Sequence, residues 1–319
     1  MNLNLLLDNL TSPALLFFVM GILAVQLKSD LEIPKSSSKF ISLYLLFSIG
    51  FNGGRELSHS HFSMEMIWTV LFGVISSIAI PVYTFFLLKK KLSIENSGAI
   101  AAAYGSISAV TFVTAVSFLE IQQISYGGHM VALMALMEAP AIIVGVTLIS
   151  LYGKKDENSP KFSNLIGHSF TNGSVLMILG SLIIGLLASE SQAQGIAPFT
   201  TDIFKGFLAI FLLDMGIISG RKLADFIRSG WFTSLFAVVI PVINGCTVAW
   251  ISKLVTGSTG DRFMLAILAA SASYIAVPAA MKMAVPKANP GLYLPMALAV
   301  TFPFNITFGM PLYMMIIMA

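Results

Sequence analysis

At 319 residues, 56% of them hydrophobic and 10% charged, with a mean hydropathy of +0.87, the chain falls far below the roughly 25% charged residues of a soluble domain. Most of it cannot face water, and it reads as one polytopic membrane bundle. A net charge of +3 without a basic patch excludes nucleic-acid binding, the single Cys246 excludes an intrachain disulfide or a cysteine-built metal cluster, and with no HExxH, GxSxG, Walker A or GxGxxG pattern neither enzymatic chemistry nor a cofactor is expected.

In chain order, ten apolar segments are long enough, or nearly so, to cross a bilayer at roughly 20 residues each. They cover about residues 11–27, 36–54, 63–88, 94–118, 129–152, 172–189, 198–220, 229–254, 261–285 and 292–318. No Lys or Arg precedes the first run, so it is expected to be a retained span rather than a cleaved leader. The connections after segments 1, 3, 5, 7 and 9 hold Lys28, Lys35 and Lys39, then Lys89, Lys90 and Lys91, then Lys154, Lys155 and Lys161, then Arg221, Lys222 and Arg228, and finally Lys287. The opposite side holds only Arg55, Lys205, Lys253 and Arg262. The positive-inside rule makes the first set cytoplasmic and leaves both termini outside.

Segment 2 ends in SIGFNGGREL (Ser48–Leu57) and segment 7 in DMGIISGRKL (Asp214–Leu223). Segments 3 and 8 share Ile-Pro-Val, at Ile80–Val82 and Ile240–Val242. Segments 4 and 9 share small, hydroxylated runs: AAAYGSISAVTFVT (Ala101–Thr114) and LAASASYIAVPAA (Leu268–Ala280). Five segments is an odd number, so a second half that repeats the first enters the membrane upside down. The expected fold is therefore an all-α polytopic membrane protein of ten transmembrane helices, as two inverted five-helix repeats, residues 1–152 and 172–319. The polar residues 153–171 between them read as a flexible cytoplasmic linker.

The paired runs in segments 4 and 9 are the candidate site, with Gly105, Ser106, Ser108 and Thr111 in one and Ser271 and Ser273 in the other. Pro278 removes a backbone donor, so segment 9 is expected to kink or unwind there. Freed amides at the start of a half-helix suit a small anion, and freed carbonyls and hydroxyls suit a hard cation such as sodium. Close helix packing is the other use of such residues. Glu138, in mid-segment 5 before Pro140, is expensive at that depth and reads as an ion ligand or proton carrier, or as a neutral acid fixing packing. Asp214 belongs to a gate or pairs with a basic residue near the cytoplasmic face; Lys205 lies about 13 Å from it along the helix, too far to pair readily. Asn305 is open to ion ligation or interhelical hydrogen bonding. The scattered His59, His61, His129 and His168 read as loop residues rather than a metal site.

The stretch GSISAVTFVTAVSFLEIQQISY (Gly105–Tyr126) is similar to the G-x-V-S-G-S-T run, Leu-Glu and Ile-Ser-Tyr of the cyanobacterial-type sodium-dependent bicarbonate transporter family. ALMEAPAII (Ala135–Ile143) resembles its Phe-Met-Asp-Ile-Pro-Ala stretch, with Glu138 at the acidic position. ASASYIAVPAAMKMAVPKANPGLY (Ala270–Tyr293) resembles its A-S-S-S-D-I-S-G-P-P run and the Ile-Pro-Ser-Ala-Asn-Pro that follows. The chain departs from those patterns at Ala109, Val110, Tyr274, Ala276 and Val277. The resemblance implies a diverged bacterial member in the plasma membrane, with segments 4 and 9 broken and crossing and a core that moves against a gate in an elevator-like manner. It implies sodium-coupled bicarbonate uptake, with bicarbonate and sodium held around the two crossing breaks; the residues expected there are Gly105, Ser106, Ser108, Thr111, Ser271, Ser273 and Tyr274 for the anion, and Glu138 and Asn305 for ion binding or coupling. It also implies a homotrimer and a PII-like cytoplasmic regulator. A different small carboxylate, a proton-coupled variant, and a receptor or scaffold that keeps the fold without transport are the alternatives.

Overall fold

The computed structural model describes residues 11–59, 62–153, 173–227 and 230–319, all helices and connections, with no strand among the described residues. The linker beyond Gly153, the cations Lys154, Lys155, Lys161 and Arg228, and His61 and His168 lie outside them. The helices are α1 (Pro13–Gln26), α2 (Lys35–His59), α3 (Met64–Leu88), α4 (Ile94–Gly105), α5 (Ala109–Ile121) and α6 (His129–Tyr152). There follow α7 (Gly173–Leu187), α8 (Glu190–Ala197), α9 (Phe204–Ile227), α10 (Trp231–Ile251), α11 (Thr259–Ala270), α12 (Ala276–Ala284) and α13 (Pro290–Met318). Serine sets several of the starts: Ser12, Ser63, Ser93 and Ser258 each accept a hydrogen bond from a first-turn amide, satisfying a donor that the helix itself leaves orphaned.

Among the described residues, six helical stretches are long and apolar enough to cross a membrane: Met64–Leu88, Ile94–Ile121, His129–Tyr152, Glu190–Leu223, Trp231–Leu254 and Pro290–Met318. The chain is thus a multi-pass membrane protein. Helices α1 and α7 are apolar but only 14 and 15 residues long, and α2 carries Lys35, Lys39, Arg55 and Glu56 along 25 residues.

Two packing groups organise the bundle. In one, α1 lies along α9 and α2 along α7. Glycine makes both contacts close: a Cβ on Gly21 or Gly216 would strike backbone of the partner helix, and so would one on Gly54 or Gly185. The Gly-x-x-x-Gly frames of segments 2 and 7 are therefore the faces on which those helices pack. In the other group α3 packs on α4 and α6, and α10 packs on α11 and α13. Gly105 sits against the ring of Pro81, and Gly245 against Tyr313. The groups meet where α9 packs on the Pro290–Thr301 part of α13, and at one end through α5, which touches α2 and α9. There Lys205 pairs with Glu120 at 3.5 Å, and the close approach of Gly53 to Val131 brings α2 onto α6.

Segment 9 differs from expectation in where it breaks. The non-helical stretch is Ser271–Ile275, and Pro278 lies in the first turn of α12, where its missing amide has no intrahelical acceptor to lose. Helix α13 is distorted instead, with π-helical stretches at Met296–Thr301 and Asn305–Gly309. Side chains bond to carbonyls there: Ser219 Oγ donates to the Leu298 oxygen at 2.8 Å, and Thr307 Oγ1 to that of Pro303 at 2.6 Å.

Candidate functional site

Helix α4 ends at Gly105 and α5 begins at Ala109; between them Ser106 and Ser108 are in extended conformation. Helix α11 ends at Ala270, Ser271 is extended, and α12 begins at Ala276. The two breaks cross and bond reciprocally. The Ser108 amide donates to Ser271 Oγ at 3.1 Å, and the Ser273 amide donates to the Ala103 carbonyl at 2.8 Å. Each break also has a serine that caps the helix after it: Ser108 Oγ accepts from the Thr111 amide at 3.2 Å, and Ser273 Oγ from Val277 at 3.4 Å. Irregular backbone is tolerated at membrane depth only where protein or a water-filled cavity satisfies it. Here protein does most of that.

Between the starts of α5 and α12 lies a pocket of about 20 Å³, lined by Ile107, Ser108 and Ala109, by Ser273, Tyr274, Ile275 and Ala276, and by Glu138 and Ser174. Two helix N-termini thus border one small volume, each contributing partial positive charge. Glu138 is 6% exposed, and its Oε1 is buried without a hydrogen-bond partner among the described residues. The same holds for Ser106 Oγ at the first break. Pro140 removes the amide that would bond to the Leu136 carbonyl, so α6 carries a carboxylate and an irregularity within one turn.

The pocket adjoins a larger cavity of about 1010 Å³ between the two packing groups. Its walls come from α2, α7 and α9 on one side and α6 and α12 on the other, and it shares Glu138, Ser174, Tyr274, Ile275 and Ala276 with the pocket. Its mouth carries Lys35, Lys39 and Arg221, with Glu32 3.5 Å from Arg221. Basic residues at a mouth raise the local concentration of anions.

The sequence-derived residues fall in distinct places. Ser108, Ser273, Tyr274 and Glu138 line the pocket. Ser271 and Thr111 serve the crossing through hydrogen bonds, while Gly105 packs on Pro81. Asn305 stands behind the crossing: its Nδ2 donates to the Ala270 carbonyl at 2.8 Å, and its Oδ1 lies 3.2 Å from the Tyr313 hydroxyl. Both ends of that amide are engaged in holding the end of α11. Asp214 accepts a hydrogen bond from Ser38 across the α2–α9 pair, with Arg221 two turns along adding favourable charge. Lys205 pairs with Glu120. His59 bonds to Arg55 and lies 3.7 Å from Glu190, and His129 lies 3.6 Å from Asp261. No group of three or more His, Cys, Asp or Glu able to hold a metal ion occurs among the described residues.

Ser174 and Ser38 line these cavities yet were not legible as site residues. Both sit near the start of an apolar segment, where a serine is read as a cap or as surface.

A family model described as the Na+-dependent bicarbonate transporter superfamily matches residues 13–318. A search of curated proteins gave no significant match.

Proposed function

Because this chain belongs to the Na+-dependent bicarbonate transporter superfamily, a family of transporters rather than enzymes, we propose that it carries bicarbonate into the cell in symport with sodium. The observation that supports this most directly is the pocket where two helix N-termini meet the buried carboxylate of Glu138, one oxygen of which has no hydrogen-bond partner among the described residues. Amides at the starts of α5 and α12 attract an anion. The carboxylate of Glu138 attracts the cation, and hydroxyls at Ser108 and Ser273 serve either. Anion and cation together cancel most of the charge that either would carry alone through a low-dielectric interior, so the doubly loaded protein moves most readily.

In this reading the bundle has ten spans in two inverted halves. The reciprocal packing supports it: α2 on α7 and α9 on α1 are exchanged by the same operation that exchanges the halves, and each uses a Gly-x-x-x-Gly frame. The group of α3 to α6 and α10 to α13 is the moving core, and α1, α2, α7 and α9 form the gate. The mouth with Lys35, Lys39 and Arg221 faces the cytoplasm by the positive-inside rule, with both termini outside, in a bacterial plasma membrane. The arrangement then corresponds to an inward-open state. A homotrimer and a PII-like regulator are carried by the family resemblance alone.

The test is uptake of labelled bicarbonate by the purified protein in liposomes, with and without an inward sodium gradient. Uptake driven by sodium supports the proposal. Absence of uptake in both conditions sinks it, and uptake that follows a proton gradient without sodium reassigns the coupling ion.

A further inference from the structure

The pocket between the helix starts is too small for the anion it is built to attract. A volume of about 20 Å³ is close to the minimum that holds a single water molecule, whereas bicarbonate has four heavy atoms. The large cavity next door has about fifty times that volume, and the two share five lining residues, of which Tyr274 is the largest. Its hydroxyl lies beside Ser108 at the crossing and donates to Met215 Sδ on α9 at 3.7 Å. Its ring meets Phe302 edge-on, with centroids 6.4 Å apart. One side chain therefore stands between the two volumes while reaching from the break in segment 9 to a helix of the other packing group.

We propose that Tyr274 is a lid on the pocket, which the entering anion displaces, and that this displacement releases the contact with Met215 on α9. This rests on the transport reading for the identity of the anion, but the lid itself is a property of the two cavities. The neighbours leave few other ways to make room. Ser108 and Ser273 are fixed by the hydrogen bonds of the crossing, and Val277 is fully buried behind them. Tyr274, by contrast, is only partly buried and borders the open cavity. The contact to the thioether is a weak hydrogen bond, and the other partner of the hydroxyl, Ser108, lines the pocket itself, so an entering anion can compete for both. Two consequences follow. The ring sets the upper size of the anion, making Tyr274 a specificity-determining residue. An unloaded pocket also keeps a link between the break and α9 that a loaded one lacks.

The test places a cysteine at Ser273 in a Cys246→Ser background and measures its reaction with a small, neutral, membrane-permeant thiol reagent in proteoliposomes. With Tyr274 present the rate is low. Tyr274→Phe keeps it low, because the ring remains. Tyr274→Ala raises it at least tenfold, and Tyr274→Val gives an intermediate rate that keeps the test open if the alanine variant does not fold. In parallel, sodium-driven bicarbonate uptake is challenged with formate, acetate and propionate. The parent is inhibited by formate and by acetate, which like bicarbonate has four heavy atoms, and the smaller side chains extend inhibition to propionate. Equal labelling across the series, or an unchanged size limit, overturns the proposal. If the parent takes up no bicarbonate at all, the transport reading falls and the labelling contrast alone decides the lid.

Discussion

Glu138 holds a carboxyl oxygen inside the bundle with no hydrogen-bond partner among the described residues, and this has a cost that a packing role would not justify. A buried carboxylate that only fixed helix contacts would be expected to have its oxygens hydrogen-bonded. Glu138→Gln keeps the shape and removes the charge. Since it strands no ionic partner, the thermal midpoint in detergent is expected to stay level or rise. The concentration of sodium needed for half-maximal uptake rises at least about tenfold, equivalent to about 1.4 kcal/mol. A variant that loses stability but keeps its sodium dependence would assign Glu138 to packing. Ser108 makes the complementary case. Ser108→Ala removes the cap from α5 at about 1 kcal/mol and leaves the pocket open. Ser108→Leu fills a volume of about 20 Å³ and is expected to abolish uptake with folded protein still in the membrane. If the leucine variant fails to fold, packing was its main role.

Among the helices, the glycine frames allow a sharp contrast on α9. A Cβ at Gly216 would meet the Phe18 carbonyl, backbone that cannot swing aside, whereas nothing lies within 4 Å of one at Gly206. Gly216→Ala is expected to cost about 1–3 kcal/mol, the usual range for overpacking. Gly206→Ala is expected to be neutral or slightly stabilising, as helix propensity favours alanine over glycine; thermal unfolding of the two variants checks the difference. These frames were legible in the sequence as a repeat, Ser48–Leu57 against Asp214–Leu223, but not as the faces joining α2 to α7 and α9 to α1. The breaks were legible from their Ala and Ser content. Pro278 misdirected the position of the second, because a proline in an apolar run signals a kink equally well in mid-helix or just inside a new helix. Side-chain partners across the bundle, such as Ser38 with Asp214 and Asn305 with Ala270, depend on which helices become neighbours. Periodicity within one helix carries no record of that.

For the whole molecule, the two packing groups touch through α5 at one end and also where α9 packs on α13, and between them lies a cavity of about 1010 Å³. The Lys205–Glu120 pair sits at the α5 end, with 67% and 43% of the side chains exposed, so its own contribution is about 0–1 kcal/mol. Its value is as a reporter. If the groups move against each other during transport, a reducible bifunctional thiol cross-linker joining Lys205→Cys and Glu120→Cys in a Cys246→Ser background arrests uptake, and reductant restores it. Undiminished uptake with the cross-link formed would show that transport needs no separation at this end.

The reciprocal bonding of the crossing also bears on how the protein is made. The Ser108 amide finds its acceptor on Ser271, and the Ser273 amide finds its own on Ala103, so neither break can complete its hydrogen bonding alone. Ser108 and Ser271 are 163 residues apart in the chain. At a synthesis rate of about 5–20 residues per second, the first break waits on the order of ten seconds or more beside the ribosome before its complement exists. Through that interval the nascent first half holds an unfinished turn of backbone at membrane depth, where water or an insertion factor has to stand in for Ser271.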